Sequence, residues 1–281
     1  MYDTIRKIKR IVAGKPAIDG AGVKLIRIFG YNDTKDFDPF LLFDAFGSTN
    51  PADYIKGFPW HPHRGIETVT YLIDGNIEHS DSMGNKDNIL AGDCQWMTAG
   101  SGIIHQEMPL ATDGLLGAQL WINLPAKHKM VLPAYGPISR EDIPIINEQN
   151  ANVRIIAGNY KGFRGAFEGK YVNALYLDVE LNSSSEWTLE TEAENTLFIY
   201  VVQGEAFVAK DYEHKISVKN VILFDKGEQF HIKTLDLPTR FLAISGKPLN
   251  EPISWGGPIV MNTRQELDKA FLELEDGTFI K

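Results

Sequence analysis

Two stretches of this 281-residue chain repeat one another at long range. TYLIDGNIEH at 70–79 resembles IYVVQGEAFV at 199–208, and NILAGDCQW at 88–96 resembles NVILFDKGEQF at 220–230. Both pairs read as strand, glycine turn, strand and a second glycine-containing turn. A repeat this long is a repeated domain, not a solenoid unit. The Pro-rich, polar stretch LPAYGPISREDIPIINEQN at 132–150 supplies a boundary. The chain is therefore expected to divide into residues 1–135 and 136–281.

Within each half the text is strand-like. VKLIRIF (23–29), ETVTYLI (67–73), LGAQLWINL (116–124), YVNALYLDVEL (171–181), TLFIYVVQG (196–204), EAFVAK (205–210) and RFLAISG (240–246) are short and rich in β-branched and aromatic residues. Turn formers bound them, which suggests sandwiches or barrels. One helix is expected, over NTRQELDKAFLELEDG at 262–277. Thr263 can cap it, with Glu266 three residues on as the capping-box partner. Leu267, Ala270, Phe271 and Leu274 form its apolar stripe, and Gly277 closes it.

Charge narrows the function classes. With 28 basic and 37 acidic residues the net charge is −9, so a nucleic acid would be repelled on average. The basic run IRKIKR at 5–10 is expected to be a solvated face near an edge strand. No apolar run is long enough to span a bilayer, and the first residues lack the apolar core of a signal peptide. The single cysteine, Cys94, allows no intramolecular disulfide and is expected to be a buried thiol. A cytoplasmic location follows as the expectation, with the nucleus as an alternative in a eukaryote. Nothing demands an oligomer, so a monomer is expected.

The chemistry concentrates in FPWHPHRGIETVTYLIDG at 58–75 and GDCQWMTAGSGIIHQEMP at 92–109. Residues two apart on a strand share a face, so His61 and His63 project together. Gly65 and Glu67 share that face if the strand continues regularly. His105 and Glu107 repeat the spacing, after glycines at 100 and 102 that let the backbone bend. One His-x-His pair alone is an ordinary surface or hydrogen-bonded feature. Two such clusters in one barrel offer three imidazoles and one or two carboxylates, a donor set for iron, manganese, nickel, copper or zinc. Spacing leaves open whether Glu67 or Glu107 is the carboxylate. His79, His128, His214 and His231 have no partner at ligand spacing and are expected to be surface or satisfied structural residues.

These residues carry a resemblance. Gly57, His61, His63, Glu67 and Gly75 resemble the first cupin motif, and Gly92, Gly102 and His105 the second. DPFLLFDAFG (38–47), HPHRGIETVTYLIDG (61–75), GDCQWMTAGSGIIHQEMP, AQLWINLP (118–125) and GPIVMNTRQELDKAF (257–271) are similar to segments of the pirin family. The resemblance spans nearly the whole chain. It implies an all-β bicupin: two jelly-roll β-barrels facing each other, with a short C-terminal helix. The N-terminal barrel, 1–135, would hold one metal ion, most often Fe2+, and the C-terminal barrel, 136–281, none. The implied ligands are His61, His63, His105 and Glu107. Pro109 stands where the usual cupin asparagine would follow His105, which fits the pirin version of the motif.

Some pirins resemble quercetinases, which cleave flavonols with dioxygen and release carbon monoxide. The implied function is that reaction, with a small aromatic substrate such as a flavonol and Glu107 as the proton acceptor. Two alternatives are an iron-binding regulator that acts through a protein partner, and a cupin enzyme with another small substrate. Residues 60–64 and 119–121 are the expected pocket lining, Trp121 serving either the pocket or the core. Trp60 departs from the family pattern and is expected to narrow the mouth. An ungapped match of the halves sets Glu190 and Glu192 against His61 and His63, and Arg240 against His105.

Overall fold

A computed structural model describes residues 5–208 and 214–281. The alternating apolar runs become antiparallel strands that form two compact units. One unit comprises residues 15–35, 39–140 and 249–281. Its seven-stranded sheet runs in the order Ala134–Ile138, Cys94–Thr98, Ile66–Asp74, Leu115–Asn123, Phe40–Ser48, Val23–Phe29, Lys15–Asp19. Its four-stranded sheet runs Phe58–His63, Ile103–Pro109, Asn76–Asp81, Lys86–Leu90.

The other unit takes the described residues through Gly14, then 36–38 and 141–248. Its sheets run Ile8–Ala13, Asn220–Phe224, Thr196–Gln203, Thr239–Gly246, Leu175–Leu181, Ala151–Ala157, Ile145–Asn147, and Glu186–Glu190, Gln229–Thr234, Glu205–Val208, His214–Ser217. The two orders match strand for strand. The duplication read from the sequence is therefore structural, and the fold is a pair of cupin barrels. Among the described residues no helix is long and apolar enough to cross a membrane.

The units are not contiguous halves. The division between residues 140 and 141 falls in the expected boundary stretch, but both chain ends are exchanged. Ile8–Ala13 completes the second unit's sheet by pairing with Asn220–Phe224. The helix, Arg264–Glu275, belongs to the first unit, not to the end of a C-terminal barrel. Thr263 caps it as expected, accepting from the Glu266 N–H at 3.2 Å. Glu266 returns its bond to the Asn262 N–H at 2.9 Å. Leu267 and Ala270 are buried, whereas Phe271 lies at the surface.

One repeat shifts by a strand. Lys86–Leu90 and Cys94–Thr98 correspond to His214–Ser217 and Asn220–Phe224, not to residues 220–230. The sequence match followed glycine, aligning Gly92 with Gly227. The second unit's equivalent turn instead uses Lys219, a non-glycine residue at φ +64°.

The second unit's interior is almost wholly apolar. Trp187, Leu189, Val208, Phe230, Ile232 and Phe241 are part of its buried cluster. Each such side chain contributes about 1.5–3 kcal/mol by leaving water. The basic run at its edge is only partly a solvated face. Lys9 and Arg10 meet Asp36 at the surface, but Arg6 is 1% exposed. Its guanidinium donates to Thr191 Oγ1 at 3.0 Å and to the carbonyls of Asn195, Asp225 and Glu192 at 3.0, 2.9 and 2.8 Å. Arg6→Ala strands these buried acceptors, so urea denaturation is expected to show a loss of about 2–4 kcal/mol. A loss within experimental error would contradict the anchoring role.

Candidate metal centre

Strand pairing brings the histidines together. His61 lies opposite His105, and His63 opposite Ile103. The register shifts between His105 and Glu107, so the ladder is bulged where the site forms. The ring centroids of His61 and His105 are 4.3 Å apart, those of His61 and His63 4.9 Å, and those of His63 and His105 5.1 Å. One nitrogen from each of the three lies within 4.8 Å of the others.

Their hydrogen bonds decide what those nitrogens can do. His61 Nδ1 lies 2.8 Å from the Pro59 carbonyl, and His63 Nδ1 lies 3.1 Å from the Pro258 carbonyl. A carbonyl only accepts, so each Nδ1 donates its proton and each Nε2 keeps a free lone pair. His105 is fully buried and neither ring nitrogen has a protein partner. Burying an imidazole without partners is costly unless something else binds it. Burial pushes the His63 pKa down to about 3, with repulsion from His61 adding to it and the Pro258 bond opposing it. Burial, then His63, His61 and His79, hold His105 well below the ordinary range. Three converging imidazoles, two with Nδ1 turned to a carbonyl and one with no protein partner, fit a divalent transition metal.

The two carboxylates part company. Glu107 is 3% exposed, with Oε1 accepting from Thr70 Oγ1 at 2.9 Å and Oε2 from Gln119 Nε2 at 3.0 Å. It shares a strand face with His105 but is not among the three groups that converge. Glu67 accepts from Trp96 Nε1 at 3.1 Å and Thr98 Oγ1 at 2.8 Å. It sits three residues from Thr70 on one strand, hence on the opposite face. The strand does not run on regularly from His63 to Glu67. It breaks at Gly65, which adopts φ +77°, and the alternation restarts at Ile66.

Sequence reasoning passed over His79. It is fully buried, its ring centroid lies 5.3 Å from that of His105, and it stacks on Tyr135 at 4.8 Å. Nε2 lies 3.3 Å from Asp81 Oδ2, and Nδ1 has no partner. The available signal was His79-x-Asp81, a third pair at strand spacing. Trp121 meets His63 edge-on, with centroids 4.9 Å apart and planes at 84°. It also packs against the apolar cluster of Leu41, Ile66 and Met97, so it borders both site and core. Trp60, expected at the pocket mouth, alternates with His61 along the strand and is 54% exposed. Cys94 is buried as expected, and burial pushes its thiol pKa up.

The second unit shows what replaces the site. Matched through the hairpins at Gly75 and Gly204, Val208 stands where His79 does. Val208 faces Ile232 as His79 faces Glu107. Two residues back, Phe230 takes the place of His105, and its partner Leu189 that of His61. Thr191, bonded to the Glu228 carbonyl, takes that of His63. Glu190 and Glu192 were one residue out of register, which moves a side chain to the other face. Arg240 lies on a different strand and forms a bidentate pair with Asp178 at 2.9 and 2.6 Å.

The depressed histidines set a pH dependence for the metal-free protein. Below the ordinary value of 6.5 the unfolded chain binds protons that folded His63 refuses until about pH 3. Stability is therefore expected to fall as pH drops through that window, by about 1.4 kcal/mol per unit for one such histidine. Urea denaturation of apo-protein across this range measures it, and His63→Ala should flatten the slope. An equal slope in both proteins would contradict the assignment.

Comparison with known proteins identifies the family. Residues 22–122 match the pirin family, and residues 176–280 match the pirin C-terminal cupin domain. A pirin-like protein of Caulobacter vibrioides is 37% identical over 278 residues, covering 98% of this chain and 99% of its own. Human pirin is 36% identical over 275 residues, covering 96% and 93%. The crystal structure of quercetin 2,3-dioxygenase from Acinetobacter baumannii aligns with a TM-score of 0.89 and 33% identity, covering 98% of each chain. The chain belongs to the pirin family.

Proposed function

We propose that this protein is a metal-dependent dioxygenase that opens the central ring of flavonols such as quercetin, with release of carbon monoxide. The observation that carries the reading is the convergence of three histidines in the first unit, two of them oriented by backbone carbonyls and the third buried without a protein partner. Likeness to a quercetin 2,3-dioxygenase structure supports the substrate class. His61, His63 and His105 would hold the ion, with Glu107 as fourth ligand, and Fe2+ is the expected metal. The bound ion would supply a Lewis-acidic seat for the flavonol oxygen and a place for dioxygen beside it.

The chain's own part is proton transfer and orientation. Glu107 accepts the flavonol hydroxyl proton, since it is the buried carboxylate next along the strand face from His105. Gln119 and Thr70 hold its two oxygens and so aim it into the barrel. Trp121 offers a flat apolar wall beside His63 for an aromatic ring. The resulting flavonolate is electron-rich enough to react with dioxygen.

Quercetin turnover with carbon monoxide detection tests this on protein loaded anaerobically with Fe2+. His63→Ala is expected to lose metal and turnover together. Glu107→Gln is expected to lower kcat by about 10²–10⁴-fold, the usual worth of a positioned general base. One bound metal with only trace turnover would reject the dioxygenase reading in favour of a regulator or another substrate.

A further inference from the structure

A row of aromatic rings joins the three-histidine site to the surface. Trp121 meets His63 with centroids 4.9 Å apart. Trp255 follows at 5.9 Å from Trp121, and Tyr31 at 5.6 Å from Trp255. All four residues belong to the first unit. Tyr31 is 64% exposed, so the row ends in water. The Trp255 indole N–H donates to the Gly257 carbonyl at 2.7 Å, which fixes that ring between its neighbours. The Trp121 indole N–H has no protein acceptor. Trp121 and Trp255 lie against the margin of an apolar cluster that is aliphatic apart from Met97.

We propose that Trp121, Trp255 and Tyr31 form a route that carries an oxidising equivalent away from the metal ligands to the surface. Indole and phenol are among the side chains most easily oxidised by one electron, and they stand here in ring-to-ring contact. An open ferrous site that meets hydrogen peroxide faces the hazard directly. Reducing one hydrogen peroxide to two waters takes two electrons and two protons. A ferrous ion bound by the three histidines would supply one electron. Trp121 gives the second, Trp255 refills Trp121, and Tyr31 refills Trp255. Tyr31 releases its phenolic proton to solvent as it does so, and solvent supplies the other proton. The hole therefore settles on Tyr31 as a neutral phenoxyl radical. A soluble thiol can donate a hydrogen atom and restore the phenol. Without the route, the ligand imidazoles are among the groups exposed to oxidation.

The inference rests on a metal at the three histidines and not on flavonol cleavage. The test uses full-length protein loaded with Fe2+, with metal content measured first, then mixed with hydrogen peroxide and frozen. Electron paramagnetic resonance reads the radical, and peptide mass analysis reads oxidised His61, His63 and His105. Wild type is expected to give a tyrosyl signal with little histidine oxidation. Tyr31→Phe and Trp255→Phe, which keep a ring but cannot hold the hole, are expected to lose that signal and gain oxidised histidine. Zinc-loaded protein is expected to give neither. Tyr31 is exposed, so its variant carries the test even if Trp255→Phe folds poorly. An undiminished tyrosyl signal in Tyr31→Phe, or equal histidine oxidation in all proteins at equal iron, would overturn the route and leave the metal site standing. Failure to bind iron would overturn both.

Discussion

The site depends on a close approach of two backbones at Gly65. This residue turns the chain at φ +77°, and a Cβ there would lie 2.0 Å from the Val260 carbonyl oxygen. The absence of a side chain lets the C-terminal segment press against the break between the two strands. Lys129, 1% exposed, spans the junction. It donates to Gly65 O at 2.7 Å, Val260 O at 2.9 Å and Asn123 Oδ1. Arg64 adds a bond to Glu273 Oε2 at 2.6 Å, another to Phe279 O at 2.8 Å, and its guanidinium over the Phe279 ring. Pro258, carried on the same segment, orients His63. Residues distant in sequence thus set the tautomer of a candidate ligand, which explains why the last residues pack with the first unit.

The duplication shows the trade between stability and chemistry within one chain. Two units share a strand order, and one fills its interior with Leu189, Phe230, Ile232 and Val208. The other places His61, His105, Glu107 and His79 at the same positions. Apolar burial stabilises the first arrangement at little risk. The second leaves polar groups buried and partly unpaired, a cost that a bound ion would offset. The bulge beside His105 belongs to the same trade, because it re-aims side chains at the expense of ladder bonds.

Much of this was legible in the residues. Alternation marked the strands, glycine punctuation marked the duplication, and Thr263 with Glu266 marked the helix. His61 with His63, and His105 with Glu107, were readable because i, i+2 spacing keeps each pair on one strand face. What was hidden came from events that alternation does not record. Gly65 breaks the strand and takes Glu67 to the other face. Lys219 turns the chain where a glycine was sought, which moved a repeat by one strand and misplaced Arg240. His79 was passed over although it forms a His-x-Asp pair with Asp81, and cross-strand pairing sets it opposite Glu107. The exchange of chain ends rests on ladders and ion pairs between distant residues, such as those of Ile8–Ala13 and Arg64.

The central claim is that one metal ion sits among His61, His63 and His105, with Glu107 completing its protein ligands. Anomalous diffraction at the iron edge from crystals of iron-loaded protein tests it most directly. The account expects one peak per chain, bounded by Nε2 of His61 and His63 and by a nitrogen of His105. Glu107 should be turned from Gln119 toward the ion. A peak in the second unit, a peak ligated by Glu67, or no peak at the three histidines would contradict it.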